Sequence, residues 1–592
     1  MRILGISDHL TCGAAFIEDG RIVAAVNEER LARMKMVMGF PRKSISEVLD
    51  LAGVTADQVD YVAVASETGH FLNEYVDFSK GTYGIDEGVM KGLFFSVGAR
   101  ASFLRGRFPI IERIYYGLKQ PLFAHRCRKI AQVMRDEFGI HSPVKFIPHH
   151  LAHAATAYYA SGFEDGLIVT LDGAGDGHSS HVYDACDGNL SYLHSIPAFD
   201  SLGCYYAYAT EICGYKAGKH EGKLTGLAAH GEPNYRDIFD RYIKYVGGSI
   251  RNVGNAYREA AIRKMRQELP NPFSKADLAA TVQTVSEEIA VDFISHWRQR
   301  TNRRNVALAG GVFANVKINQ RVHEIEGVDS VFVYPAMSDE GISAGAALVL
   351  LHEQNPAEIK RGSDCLPHVY LGRSFSDDEI RSALEAEEVD YVMPEDCERE
   401  IAQLIEQGRV VARFHGSMEY GPRALGNRSI LYRPDEPAVN DWLNERLKRT
   451  EFMPFAPAVL AEEAASCFHG LSGAENTARF MTVTFDCTEE MKANCPGVVH
   501  IDGTARPQIV SESDNPSFYR IISEFKRLTG LPCVVNTSFN IHEEPIVCTP
   551  QDAIRAFSDG HLDVLAIGPF IAKNANVSEH LHGVGASDSV DA

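Results

Sequence analysis

Residues 1–26, MRILGISDHLTCGAAFIEDGRIVAAV, open the reading of the fold. Residues 2–7 and 13–18 are apolar and strand-like. Asp19-Gly20 is a hairpin turn pair, and a third apolar run follows at residues 21–26. The chain therefore begins β-β-turn-β. Working outward, residues 44–53 read as a helix and 60–65 as a buried strand. Residues 145–148 read as a short strand, 149–161 as an Ala-rich helix, and 166–172 as a strand ending in Asp-Gly. Strands at 305–309 and 330–334 each turn into a helix. Residues 251–300 are polar and amphipathic, which predicts helix. Residues 70–140, aromatic and basic with weak periodicity, read as a helical insertion. Pro, Gly and charge gather between residues 355 and 367, marking a boundary between domains at 1–360 and 366–574. Beyond it come helices at 397–407, 437–447 and 516–528, with strands at 409–414 and 532–536. Residues 575–592 are small and polar, a disordered tail by composition. Alternation of strand, turn and helix implies an α/β protein in two lobes.

The 592 residues carry a net charge of -21, which disfavours nucleic acid and acidic membranes as partners. The twelve cysteines contain no C-x-x-C pair and read as reduced, buried and structural. No apolar run approaches the ~20 residues of a membrane span, and the opening residues are too polar for a secretion signal. A cytoplasmic enzyme is expected.

Three groups of residues carry chemistry. His149 and His153 lie four apart on the Ala-rich helix and share a face. Neutral imidazoles so placed bind transition metals together, and Asp172 and Asp339, each just past a strand, supply further ligands. The competing structural reading has the histidines merely packing and Asp339 capping the helix that follows. Second, Gly310-Gly311 and Asp172-Gly173-Ala174-Gly175 are glycine turns between strand and helix, where backbone can approach a nucleotide phosphate. With the opening hairpin they resemble the phosphate-binding turns of the actin-like ATPase fold. Third, Arg423 and Arg428 sit in a Gly/Pro-bounded loop. Lys448-Arg449, Arg506 and the cluster Asn536, Ser538, Asn540 lie farther on. Guanidinium groups grip phosphate, while amides and hydroxyls orient a carbamoyl unit. Lys448-Arg449 also reads as the solvated end of a helix.

The blocks HHLAHAATAYY, LDGAGDG, GKHEGKLTGLAAHG, LAGGVFANVKINQ, YPAMSDEGISAGAA, MEYGPRALGNRSIL, FMPFAPAVL and VVNTSFNIHEEPIV run through nearly the whole chain. Together they resemble the O-carbamoyltransferase family (TobZ-, NodU- and CmcH-like). That resemblance implies an N-terminal actin-like (ASKHA-type) lobe, similar to the threonylcarbamoyl-transfer protein of tRNA modification. It also implies a C-terminal YrdC-like lobe that forms carbamoyl adenylate. His149, His153, Asp172 and Asp339 match the family's iron ligands, so the metal would be Fe2+ or another divalent ion. Gly310, Gly311 and Asn315 match its adenosine segment. Arg423, Arg428, Lys448, Arg449, Arg506, Asn536, Ser538 and Asn540 fall in blocks that hold carbamoyl phosphate and ATP, the latter with Mg2+. The chain departs from the pattern at Ser417 and Met453, where the family often has Arg, and at His9, which Leu10-Thr11-Cys12-Gly13 follows.

The implied reaction transfers a carbamoyl group from carbamoyl phosphate, through an ATP-derived adenylate, to a hydroxyl of a small molecule. His9, His150, His220 and His230 are the candidate bases. Three readings compete: threonylcarbamoyl transfer to tRNA, a sugar kinase, and a non-catalytic regulatory protein binding metal or nucleotide. The acceptor and any homo-oligomer are left open.

Overall fold

The computed structural model describes residues 1–69, 71–76, 109–447, 455–541 and 543–574, with side chains of 109–119 left aside. The tail at 575–592, Lys448, Arg449, Met453 and residues 77–108 of the anticipated insertion lie outside the described residues. The remaining insertion includes a long helix, Pro109–Asp136.

Two five-stranded sheets share one topology. In the first, β1 (Arg2–Ser7), β2 (Gly13–Glu18) and β3 (Arg21–Asn27) form the antiparallel meander foreseen from the opening residues. Then β4 (Tyr61–Ala65) and β5 (Val144–Ile147) add in parallel on the other side of β1. The strand order is β3-β2-β1-β4-β5. In the second sheet β6 (Asp165–Gly175), β7 (His178–Cys186) and β8 (Asn189–Pro197) repeat the meander. After a small hairpin of β9 (Ile243–Val246) and β10 (Ser249–Asn252), β11 (Asn305–Ala309) and β12 (Ser330–Val333) add in parallel. The order β8-β7-β6-β11-β12 matches the first sheet strand for strand. This internal duplication is the actin-like arrangement. Each half ends in a helix, His149–Ser161 and Ile342–Gln354, and these two pack against each other between the sheets. Their contact is close because the residues are small. A Cβ on Gly345 would lie 2.0 Å from the Ala152 carbonyl oxygen.

The third sheet is mixed and seven-stranded, built from β13 (Val411–Phe414), β14 (Arg428–Tyr432), β15 (Ala456–Leu460), β18 (Gln508–Val510), β19 (Cys533–Ser538), β20 (Val564–Ile567) and β21 (Phe570–Lys573). A two-stranded ribbon, β16 (Phe485–Asp486) with β17 (Thr504–Ala505), lies beside it. The helices Cys397–Glu406 and Pro516–Thr529 cover one face with a shared apolar cluster. This is the mixed α/β second lobe that the resemblance implies.

Three readings need correction. Residues 251–300 are not uniformly helical. They begin in β10 and then form two helices, Glu259–Glu268 and Lys275–Thr301. The strand ending at 172 runs on to Gly175, with its ladder to β7 irregular between Leu171 and Gly175. The cysteines are all reduced, but Cys186 is exposed and Cys127 and Cys397 are only half-buried. The stretch 355–367 forms short 3-10 turns. The Ile22 and Ala25 N–H groups donate to the Cys365 and Leu371 carbonyls, fastening it along β3.

Candidate active site

His149 and His153 project from one face of their helix, one turn apart, with ring centroids 4.7 Å from each other. Asp172 enters from the irregular stretch of β6, and Asp339 from the turn after β12. His149 Nε2 lies 3.1 Å from Asp172 Oδ2 and 3.4 Å from Asp339 Oδ1. His153 Nε2 is 3.4 Å from Asp339 and 3.9 Å from Asp172. One ligating atom from each of the four residues falls within 4.8 Å of all the others. The sequence-predicted quartet is thus brought together.

The residues fit a divalent cation. His153 Nε2 and Asp339 Oδ1 are buried and have no hydrogen-bond partner, so an ion among the four would satisfy both. Two imidazoles with two carboxylates suit a transition metal. The local field agrees. Burial opposes charge on His149, but Asp339 and Asp172 outweigh it and raise its pKa to about 9. Burial likewise works against ionised Asp172, yet the His149 hydrogen bond and the surrounding imidazoles hold it far below the usual carboxylate range.

The backbone around the quartet leaves little slack. A Cβ on Gly175 would sit 2.1 Å from His149 Cδ2, so only glycine lets that ring lie where it does. Asp176 accepts from the His149 N–H at 2.8 Å and from Ser66 Oγ at 2.7 Å, fixing the helix start. The Gly311 N–H donates to Asp172 Oδ1 at 3.1 Å. Gly310 has φ +109°, and a Cβ there would meet the Leu171 carbonyl oxygen at 2.2 Å. His9 stands beside the quartet, its ring 6.0 Å from that of His149, with a buried Nε2 that has no hydrogen-bond partner. Its neighbour Asp8 is tied to Arg126 by hydrogen bonds of 2.9 and 2.5 Å.

The turn Gly311–Ala314 leads from this quartet to a cleft between the N-terminal and C-terminal sheets. Asn315 caps the next helix, accepting from Lys317 and Ile318, and its amide bonds Gln283 at 2.8 Å. Gln283 in turn accepts from Tyr206 Oη at 2.8 Å. Gln283, Thr225, Val316, Phe455 and Arg506 line a cavity of ≈ 190 Å³. Thr225, Val316, Phe455 and Arg506 also line a second cavity of ≈ 290 Å³, so the two adjoin. The second carries Lys35, Lys219, Lys223, Arg423 and Arg506 with Ala314, Thr537, Ser538, Asn540 and Glu543. Among the described residues, five basic side chains line this one space in an otherwise acidic chain, a charge pattern that suits an anion.

Of the anticipated anion-binding residues, Arg423, Arg506, Ser538 and Asn540 meet there. Arg428 does not. It is fully buried, donates to the carbonyls of Arg373, His415, Gly416 and Asn427, and lies 3.7 Å over the Phe414 ring. Its guanidinium shapes the loop. Burial lowers its pKa to about 10, and Glu419 opposes that shift. Asn536 is also outside the cavity lining, with its amide on Gln508. Glu419 is the loop's hub. One of its oxygens accepts from the Leu425, Asn427 and Arg428 N–H groups at 2.8–3.1 Å. Lys35, Lys219 and Lys223 were not anticipated, although the run GKHEGK at 218–223 is conspicuously basic. His220 loses its place among candidate bases. Lys216 N–H donates to Nδ1, which leaves Nε2 protonated and facing Glu543 at 3.1 Å. His150 is engaged with Thr170 at 2.8 Å, and His230 packs near the His500 ring.

A carbamoyltransferase N-terminus model matches residues 2–348, and a carbamoyltransferase C-terminus model matches 402–574. The chain belongs to the carbamoyltransferase family. This carbamoyltransferase is 31% identical to an uncharacterised protein of Synechocystis, over 97% of each chain. It is 32% identical to nodulation protein NolNO of Sinorhizobium fredii, over 95% of this chain and 79% of that one. Among solved structures, HypF of T. kodakarensis aligns at 12% identity over 61% of this chain and 48% of that one, with a TM-score of 0.35. Among the described residues, no helix is long and apolar enough to cross a membrane.

Proposed function

We propose that this carbamoyltransferase draws its carbamoyl group from carbamoyl phosphate, activates it with ATP, and delivers it to a hydroxyl of a small molecule. The observation that carries this reading is the adjacency of the two sites. Gly311 bonds the chelating Asp172, and Ala314, three residues on, lines the cation cavity.

In this reading, Arg423, Arg506 and Lys223 hold the phosphate of carbamoyl phosphate and neutralise it as it leaves. Water breaks the carbamoyl–phosphate bond, giving carbamate and inorganic phosphate. A carbamate oxygen attacks the α-phosphorus of ATP, which enters with Mg2+, and pyrophosphate departs. The base and ribose take the cavity beside Gln283 and Thr225. The acceptor oxygen then attacks the carbamoyl carbon of the adenylate and AMP leaves. His9 Nε2, unpartnered beside the quartet, takes the hydroxyl proton. Iron(II) or another divalent ion held by His149, His153, Asp172 and Asp339 would supply Lewis acidity there. Direct passage between the two adjoining cavities limits the adenylate's exposure to bulk water, which would hydrolyse it.

The test is product analysis with purified protein. Pyrophosphate and AMP should form only when ATP and carbamoyl phosphate are both present, and a hydroxylated acceptor should gain one carbamoyl unit. Formation of ADP and a phosphorylated acceptor instead would sink the proposal in favour of a kinase. Net charge -21 argues against tRNA as acceptor.

A further inference from the structure

Among the described residues, Glu543 is the one carboxylate lining the cation cavity. It pairs with Lys219, whose side chain is only 5% exposed, and lies 3.1 Å from His220 Nε2 and 3.6 Å from Lys216 Nζ. It reaches these partners across the cleft, from the segment after β19 to the loop before the helix Glu221–Ala228. Burial disfavours its charge, but Lys219 and its neighbours hold its pKa down to about 2.

The backbone bearing it is unusual. Glu543 has φ +67°, a left-handed conformation that favours glycine and that L side chains seldom adopt. The surrounding structure enforces it. Asn540 Nδ2 donates to the Glu544 carbonyl at 2.9 Å. Arg33 clamps the Pro545 and Ile546 carbonyls at 2.9 and 2.7 Å. Backbone strain that neighbours over-determine marks sites where side-chain placement matters. Here the placement delivers a carboxylate into a cluster of cations suited to phosphate.

We propose that Glu543 is a resident counter-ion of the cation cavity, a tethered carboxylate that the donor's phosphate must displace from Lys219. The inference rests on reading this cavity as the donor's phosphate site. A tethered anion competes at high effective concentration. Glu543 therefore sets how much anion is needed to fill the cavity, and its side chain must swing aside while its anchored backbone stays in place.

Inorganic phosphate, titrated calorimetrically into the intact protein, tests this. Glu543→Gln keeps the side chain's length and removes its charge. Glu543→Gly removes the side chain and also suits the positive φ. Both should bind phosphate on the order of tenfold more tightly than the unmodified protein, about one 1.4 kcal/mol step. The KM for carbamoyl phosphate should fall in parallel. Unchanged or weaker phosphate binding by both folded variants overturns the proposal alone, because the unmodified protein still binds. Absence of phosphate binding in all three removes the cavity reading and this inference with it.

Discussion

The candidate metal quartet and the cation cavity are built on opposite plans. The quartet takes two residues from a single helical turn, one from the irregular stretch of β6 and one from the turn after β12, strands that flank β11 in one sheet. Its geometry follows from secondary structure, and the backbone is packed around it down to Gly175 and Gly311. The cation cavity draws Lys35, Lys219, Arg423, Arg506 and Glu543 from loops of both halves and Lys223 from the helix Glu221–Ala228. No single regular element fixes those side chains relative to one another. The lesson is that the first site is rigid by construction, whereas the second depends on how the halves meet. It is also the one whose occupant can change.

That contrast can be broken at either site. The largest effect is expected for Asp339→Ala, which removes one of four ligands. Bound divalent metal, measured by elemental analysis, should fall on the order of a thousandfold in affinity, since ligand loss costs several kcal/mol. Gly175→Ala probes rigidity, because the added methyl drives into His149. Metal affinity should drop about ten- to a hundredfold, the range for disturbed ligand orientation, while phosphate binding stays as it was. Arg423→Ala should raise the KM for carbamoyl phosphate about tenfold or more, the loss of a charge-assisted hydrogen bond, with metal content unaltered. Arg428→Lys should behave differently from Arg423→Ala. Thermal unfolding should shift downward as carbonyls lose their donors, by about 1–3 kcal/mol, with little change in KM. The smallest effect is expected for His220→Gln, within about threefold in kcat, because both ring nitrogens are already committed. A hundredfold loss of kcat there would restore His220 as a base.

The sequence made the first site legible and the second only partly so, for the same reason. An i, i+4 histidine pair and aspartates at strand ends carry their geometry with them, and the opening hairpin disclosed the meander that the second half repeats. The repeat itself was hidden. In β7 and β8 the alternation of apolar and polar residues is interrupted by register shifts at His178/Ser180 and Val182/Tyr183. Arg428 and Arg423 look alike in a Gly/Pro/Arg loop. Only tertiary structure shows one turned onto carbonyls and the other onto the cavity. Glu543 gave no local signal, because its meaning comes from Lys219, more than three hundred residues away.

The central claim is that activation and delivery of the carbamoyl group occur at two joined but separate sites. It is tested most directly by measuring both steps in purified His153→Ala. Pyrophosphate release dependent on carbamoyl phosphate should persist near the unmodified rate, while the carbamoylated acceptor disappears. Equal loss of both products in a folded variant would contradict the claim.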